Sequence, residues 1–364
     1  MAQRVPDLRA RLRERGLDAL LVTHPSNRFY LSGFSGGDIP PNESAGCLLI
    51  AATADAAYLV TGPVNVEQAR AQAPGYEVVP RGKSLATTLA ELLGKEGVRR
   101  LGFEEEALLV GTERALAEAT EGGVEFVAVG DLVSDLRVVK SADELAKIAR
   151  AAAVTDAAFT AVSRAMRPEQ TERAVAWALE RAMREGGAEA LAFPVIVAAG
   201  ANGAQPHHEP GDQPVGAGLP ITIDMGAQVD GYAADLTRTV ILGEPTDQAR
   251  AVYMAVLRAE EAALGGIRAG MTGHDADRLA RDVLIAAGYQ EFVVHGLGHG
   301  VGVRVHEAPS ANQDVETPLP AGATLTLEPG LYLPGWGGVR IEDLVVIEED
   351  GVRPLSHAPK QRFE

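Results

Sequence analysis

A single cysteine, Cys47, in 364 residues excludes an internal disulfide and any metal site built from several thiolates. Carboxylates and imidazoles are then the only protein ligands open to a metal. Cys47 itself lies in an apolar run and is expected in the core. Basic residues are in deficit: 33 Lys and Arg against 50 Asp and Glu give a net charge of −17. Such a surface repels a phosphate backbone, so no nucleic-acid partner is expected. No apolar run approaches the roughly 20 residues of a membrane helix, and the opening MAQRVPDLRARLRERG lacks the apolar core of a signal peptide. No membrane partner is expected, and the expected compartment is the cytoplasm.

What is there is a globular chain, 46% hydrophobic and 23% charged, long enough for two domains. Up to about Val129, short apolar segments alternate with amphipathic ones. DALLVT, GCLLIAAT, AYLVT, YEVV, RRLGF and VEFVAV read as strands, with helices near Leu8–Arg15, Val64–Ala73, Ser84–Glu96 and Thr112–Thr120. That alternation predicts an α/β layer structure. A long helical pattern then begins, with Ser141 as N-cap and Glu144 as its capping-box partner, which sets a domain boundary near Leu136–Lys140. Beyond it the order is two helices (about Asp143–Met166 and Glu169–Glu185), the strand FPVIVAAG and a hairpin. Two more helices (Asp247–Ile267, His274–Ala287), a Gly/His-rich loop (Val294–Val305) and a second hairpin follow. Helix, helix, hairpin, stated twice, suggests two related halves.

Each hairpin carries a pair of acids. Asp224 and Asp235 are equidistant from a turn at Val229–Asp230, so a regular register sets them opposite one another; Glu328 and Glu342 are likewise equidistant from Gly335. Their neighbours are apolar: Ile221, Ile223 and Met225, Leu325 and Leu327, and Ile341. Burying such carboxylates without a partner is costly. Two divalent cations would balance four carboxylates and leave a vacancy for hydroxide. Acids at strand edges facing water would explain one pair, but not two together with the histidines nearby. His295, His299 and His306 fall within HGLGHGVGVRVHE, where the glycines let the backbone bend closely around a ligand. One imidazole added to an oxygen-rich set suits Mn²⁺, Co²⁺ or Zn²⁺. In NGAQPHHEPG, His207 and His208 are adjacent, so an extended segment turns only one toward a cavity and leaves the other exposed.

The set IDMG, AADLTRT, GLGHGVG, LEPGLY and VRIED, between Phe193 and Asp343, resembles the pita-bread metallopeptidases. These comprise Xaa-Pro dipeptidases (prolidases), Xaa-Pro aminopeptidases and methionine aminopeptidases, with creatinase as a metal-free relative. NRFYLSGFSGG is similar to the creatinase-type N-terminal domain. The resemblance implies a creatinase-like α/β domain over 1–136 and a pita-bread catalytic domain over 137–364, whose helix and antiparallel-sheet halves are related by a pseudo-twofold. It implies two divalent metal ions, Mn²⁺ before Zn²⁺ or Co²⁺, held by Asp224, Asp235, His299, Glu328 and Glu342, with Asp235 and Glu342 bridging. By the same resemblance His207, His295 and His306 contact substrate, Arg340 and Tyr332 match family positions, and His306 stabilises the oxyanion; Glu328 is the candidate proton shuttle.

The activity implied is hydrolysis of the bond N-terminal to proline in Xaa-Pro dipeptides by a homodimer. An Xaa-Pro aminopeptidase, a non-catalytic binding module and a metal-free creatinase-like hydrolase are the alternatives. Methionine aminopeptidase is disfavoured because about 135 residues precede the catalytic part, room for a whole extra domain. Two positions depart from the family pattern: Arg304 stands where an acid is expected, and Ser310 where some prolidases carry an arginine for the proline carboxylate. Arg340 and Arg304 are the candidates to hold that carboxylate instead. Asp38, in the long loop Gly36–Ser44, is the candidate for the substrate amine.

Overall fold

A computed structural model describes residues 3–38, 44–53 and 55–363. It divides into two compact units, with the division between Arg137 and Val138.

The first unit is built on a six-stranded sheet of β1 (Ala19–Val22), β2 (Gly46–Ala51), β3 (Ala57–Thr61), β4 (Glu77–Pro80), β5 (Arg100–Phe103) and β6 (Glu125–Ala128), in the order β4-β3-β2-β1-β5-β6. The central pairs β1/β2 and β2/β3 are antiparallel, and the flanking pairs β3/β4, β1/β5 and β5/β6 are parallel. Parallel neighbours need crossovers. Besides α1 (Arg4–Glu14) and α2 (Pro25–Ser32), the unit has α3 (Val66–Gln72), α4 (Leu85–Lys95) and α5 (Val110–Ala119), which lead from β3 to β4, β4 to β5 and β5 to β6. The three central strands are buried at every position, while the edges β4 and β6 are half exposed, which is why their sequences mix charge with Val and Phe. Cys47 is in this core, where burial pushes its thiol up to about 12. Helix α2 is the element that the periodicity did not reveal. Its marks are Pro25 in the first turn, the His24 ring accepting from the Ser26 N–H, and Gly33 in the left-handed region at the C-terminus.

In the second unit, α6 (Ala142–Ala165), α7 (Glu172–Glu185), α8 (Asp247–Gly266) and α9 (Gly273–Ala286) each begin with a hydroxyl cap. The Ser141, Thr171, Thr246 and Thr272 side chains accept from the third backbone N–H of their helices, and Ser141 and Glu144 form the expected capping box. Thr171 as cap moves the start of α7 three residues past the expected Glu169. The first hairpin runs through β9 (Pro220–Met225), β10 (Ala227–Val229), β11 (Tyr232–Ala233) and β12 (Leu236–Ile241), following β7 (Ala190–Leu191) and β8 (Ile196–Ala199). Helices α6 and α7 share a core with β8, β9 and β12. The second half repeats the plan. After β13 (Gly298–Gly300) and β14 (Glu307–Ala311), the hairpin of β15 (Thr324–Leu327), β16 (Gly330–Leu333), β17 (Gly337–Arg340) and β18 (Asp343–Glu348), extended by β19 (Gly351–Pro354), shares its core with α8 and α9.

Register decides where the acids sit. In the second hairpin Leu327 pairs with Asp343 and Gly330 with Arg340, so one uninterrupted count places Glu328 across from Glu342. The first hairpin differs from expectation. Val229 pairs with Tyr232 and Asp224 with Thr237, so the turn is Asp230–Gly231 rather than Val229–Asp230, and Asp235 is diagonal to Asp224. The reason is local: Asp230 and Gly231 both have positive φ, 50° and 76°, the requirement of a two-residue hairpin turn that Asp-Gly satisfies.

Candidate metal centre

Five side chains from both hairpins and β13 gather in the second unit. Asp224 lies in β9, Asp235 and Glu342 immediately precede β12 and β18, Glu328 follows β15, and His299 is the middle residue of β13. One carboxylate oxygen from each of Asp224, Asp235 and Glu342 lies within 4.8 Å of the others. His299 Nε2 is 3.2 Å from Glu328 Oε1 and 3.6 Å from Asp235 Oδ2. His299 Nδ1 is 3.1 Å from the Gly300 carbonyl, which only accepts. Nδ1 therefore carries a proton, and Nε2 faces the carboxylate oxygens; burial opposes a charge on the ring, but the bond to Glu328 and the carboxylate charges outweigh it and raise the imidazole above its ordinary range while no cation stands between them.

Buried carboxylates this close together are unfavourable unless a positive species lies among them. Burial, and after it the neighbouring carboxylates, push Asp235 and Glu342 well above the ordinary range; burial also raises Asp224, opposed by Arg340. Glu328 behaves oppositely. Burial works against its ionisation, but the His299 bond and the charges of His299 and His295 bring it down to about 2. Among the described residues, Asp224 Oδ1 and Glu342 Oε1 are buried without a hydrogen-bond partner, a costly state for acceptor-only atoms. Four acids and one imidazole, with two orphaned oxygens, fit hard divalent cations.

A surrounding layer of side chains fixes these groups. The Thr326 hydroxyl accepts from the His299 N–H (3.0 Å) and donates to Glu328 Oε1 (2.9 Å). Arg340 Nη2 donates to Asp224 Oδ2 (2.7 Å), Nε to the Thr237 hydroxyl (3.0 Å) and Nη1 to the Tyr332 hydroxyl (2.7 Å). Tyr332 in turn lies 2.8 Å from His295 Nε2, and His295 Nδ1 lies 2.7 Å from the Gly296 carbonyl. On α9, Arg281 is ion-paired with Asp277 and donates to the His295 carbonyl (2.8 Å). Thr326, Thr237, Arg281 and Asp277 were not found from sequence. The threonines did leave a signal, since Thr324, Thr326 and Glu328 alternate on one face of the strand. The glycines around His299 serve packing rather than a bend around a ligand: a Cβ at Gly298 would lie 1.9 Å from the Thr326 carbonyl, and one at Gly300 2.3 Å from that of Ala308.

The cluster opens into a cavity of about 710 Å³ whose lining includes His207, His208, His295, His299, His306 and Arg340, with an apolar portion of Phe193, Pro194, Val195 and Ile196. His306 stands edge-on to His299, ring centroids 4.3 Å apart. Several expectations need correction. Arg340 is only 4% exposed with all three guanidinium nitrogens engaged, so it is not a free cation for a substrate carboxylate. Tyr332 is buried behind His295, and both His295 ring nitrogens are already bonded; its ring lines the cavity without a free polar atom. Asp38, in the first unit, is paired with the buried Arg28 (2.6 Å) and accepts from the Ala45 N–H (2.5 Å). Burial opposes its ionisation, but these bonds hold it below the usual range; it is a loop-fixing anion, not a free ligand for an amine. Residues 39–43 of its loop lie outside the described residues. His208 is not the exposed member of its pair: its Nε2 is bonded to the buried Glu172 (2.9 Å), whereas His207 is exposed at the cavity. Ser310 lines the cavity, and Arg304 is exposed outside its lining.

Comparison with known proteins matches residues 146–349 to metallopeptidase family M24 and residues 4–139 to the creatinase/prolidase N-terminal domain. The chain is 32% identical to an Xaa-Pro dipeptidase of Pyrococcus furiosus over 374 aligned positions, covering 99% of each. Among solved structures it superposes on an Xaa-Pro dipeptidase from Bacillus anthracis with a TM-score of 0.93 at 36% identity, covering 99% of this chain and 98% of the other. It also superposes on an X-Pro aminopeptidase from Thermotoga maritima, with a TM-score of 0.87 at 35% identity and coverage of 96% and 98%.

Proposed function

The chain belongs to metallopeptidase family M24, and on that premise we propose that it is a metal-dependent Xaa-Pro dipeptidase. In this reading residues 137–364 are the catalytic domain, residues 1–136 a creatinase-like N-terminal domain, and the enzyme works as a cytoplasmic homodimer on proline-containing dipeptides. The observation that carries it is the buried group of Asp224, Asp235 and Glu342 with two orphaned oxygens, beside His299 and Glu328 in a cavity large enough for a short peptide.

Asp224, Asp235, His299, Glu328 and Glu342 would hold two divalent ions, Mn²⁺ before Zn²⁺ or Co²⁺ because oxygen donors predominate. Bound there, such ions supply Lewis acidity and a water acidic enough to ionise near neutral pH. The chain's own residues do the rest. Glu328, ionised at neutral pH and aligned through Oε1 by Thr326, takes the proton of the attacking water at Oε2 and returns it to the leaving proline nitrogen. A proline amide has no N–H, so this protonation cannot be bypassed. His306 donates to the carbonyl oxygen as charge develops on it. His207, with Phe193, Pro194 and Val195, orients the substrate and excludes water.

A second reading, an Xaa-Pro aminopeptidase, is favoured by one observation: Arg340, the one arginine among the described residues lining the cavity, has its guanidinium fully engaged. Comparing kcat/KM for Xaa-Pro, Xaa-Pro amide and Xaa-Pro-Yaa separates the two. A dipeptidase prefers the free carboxylate by about tenfold to hundredfold, the value of a charge-assisted hydrogen bond; equal values make the chain an aminopeptidase.

A further inference from the structure

The pair His207–His208 has a structural logic that the proposed chemistry does not use. His208 is held through Nε2 by Glu172 Oε2 (2.9 Å). Glu172 is the first residue of α7 and fully buried. The same oxygen accepts from the Gly211 N–H (3.0 Å), while Oε1 accepts from the Ala199 N–H (2.8 Å) and from Asn202 Nδ2 (2.9 Å). Backbone bonds close the neck of the segment: the Glu172 N–H donates to Gln213 and the Arg173 N–H to Gly211. One carboxylate thus gathers the end of β8, the turn after it and the far side of the loop Pro206–Pro210, which forms a wall of the cavity. Burial works against the charge on Glu172, and the four donors outweigh it and hold its carboxyl below the usual range. It remains an anion, the strongest acceptor available to them.

We propose that Glu172 is the positioning residue for His207: by fixing His208 and the backbone on either side, it sets the wall that presents the His207 ring to the substrate. Its bearing on catalysis rests on the Xaa-Pro hydrolase reading. Glutamine cannot substitute, because an amide offers one acceptor oxygen and two donors, so at least one of Ala199 N–H, Gly211 N–H, Asn202 and His208 would meet another donor.

The test is a double-mutant cycle on Xaa-Pro hydrolysis with E172Q, H207A and both together. Alone, E172Q lowers kcat/KM about tenfold to a hundredfold. In the H207A background it costs less than about twofold, because no ring is left to place. An equal loss in both backgrounds overturns the proposal. N202A removes one of the four bonds without touching a cavity-lining side chain, and it carries the same cycle should E172Q not fold; its expected loss is threefold to tenfold, again absent in H207A. Amide hydrogen exchange needs no substrate and so separates failure of this inference from failure of the functional reading. E172Q or N202A must accelerate exchange over residues 199–213 while leaving β9 and β12 protected, and unchanged exchange there overturns the proposal even in a protein that cleaves nothing.

Discussion

Arg340 Nη2 lies 2.7 Å from Asp224 Oδ2, while the other oxygen of the same carboxylate is buried without a partner. One oxygen is held by the protein and the other is left for a ligand, a division typical of a metal-binding carboxylate with an outer hydrogen-bond partner. Replacing Arg340 with Met keeps much of the volume and removes its three hydrogen bonds. R340M is expected to weaken divalent-ion binding and lower kcat/KM by about tenfold to a hundredfold, measured by titrating metal-free protein calorimetrically and by steady-state kinetics. Unchanged affinity for both ions would mean that Arg340 only packs.

Thr326 joins the backbone of His299 to the side chain of Glu328 through one hydroxyl. T326V keeps the shape and strands both partners at a cost of about 1–3 kcal/mol. The expected outcome is a lower melting temperature in the metal-free protein and a fall in kcat with KM little changed. A loss confined to KM would contradict the assigned alignment of Glu328.

The pH dependence has a definite sign. Asp235 and Glu342 have folded-state pKa values raised by burial and by neighbouring carboxylates, so their contribution to the metal-free fold is full below the ordinary carboxylate pKa and is lost as pH rises through the raised values. Glu328 runs the other way, with stability lost as pH falls through about 2, and is silent above about pH 6. Divalent cations relieve the repulsion of ionised acids, so the rise in melting temperature on adding Mn²⁺ should grow as pH rises above the ordinary carboxylate range and these two acids ionise. A stabilisation independent of pH would speak against binding at these acids.

Lys360 bridges the fully buried Glu260 (2.5 Å) and Asp343 (2.7 Å), next to Glu342 in sequence. Burial, and then the charge of Asp343, push Glu260 up to about 7. K360M leaves the buried Glu260 without its cation, while Asp343 keeps Arg238 (2.7 Å), and is expected to destabilise the second unit by about 3–5 kcal/mol, read from urea unfolding. A loss under about 1 kcal/mol would place the pair in solvent rather than in the core.

Much of this was legible in the sequence where information is local. The six strands of the first sheet, the Ser141–Glu144 capping box and the opposition of Glu328 and Glu342 follow from periodicity, capping chemistry and counting from Gly335. Counting failed for Asp224 and Asp235 because it was centred on the wrong pair of residues; the Asp230–Gly231 turn carried the correct register. Arg340 and Asp38 read as free charges in the sequence, which does not reveal which opposite charge the fold brings alongside: Asp224 is 116 positions from Arg340. Glu172 was invisible for the same reason, its four partners lying 27–39 positions away.

The proposed activity requires that Asp224, Asp235, His299, Glu328 and Glu342 hold two divalent ions for Xaa-Pro hydrolysis. It is tested most directly by assaying an Xaa-Pro dipeptide with the purified protein after exhaustive chelation, then after stepwise return of Mn²⁺, beside D235N treated identically. The expected result is no turnover without metal, recovery that saturates at two ions per chain, and in D235N a folded protein with less bound metal and no activity. Full activity after chelation, or saturation with Mn²⁺ and still no cleavage of the dipeptide, would contradict it.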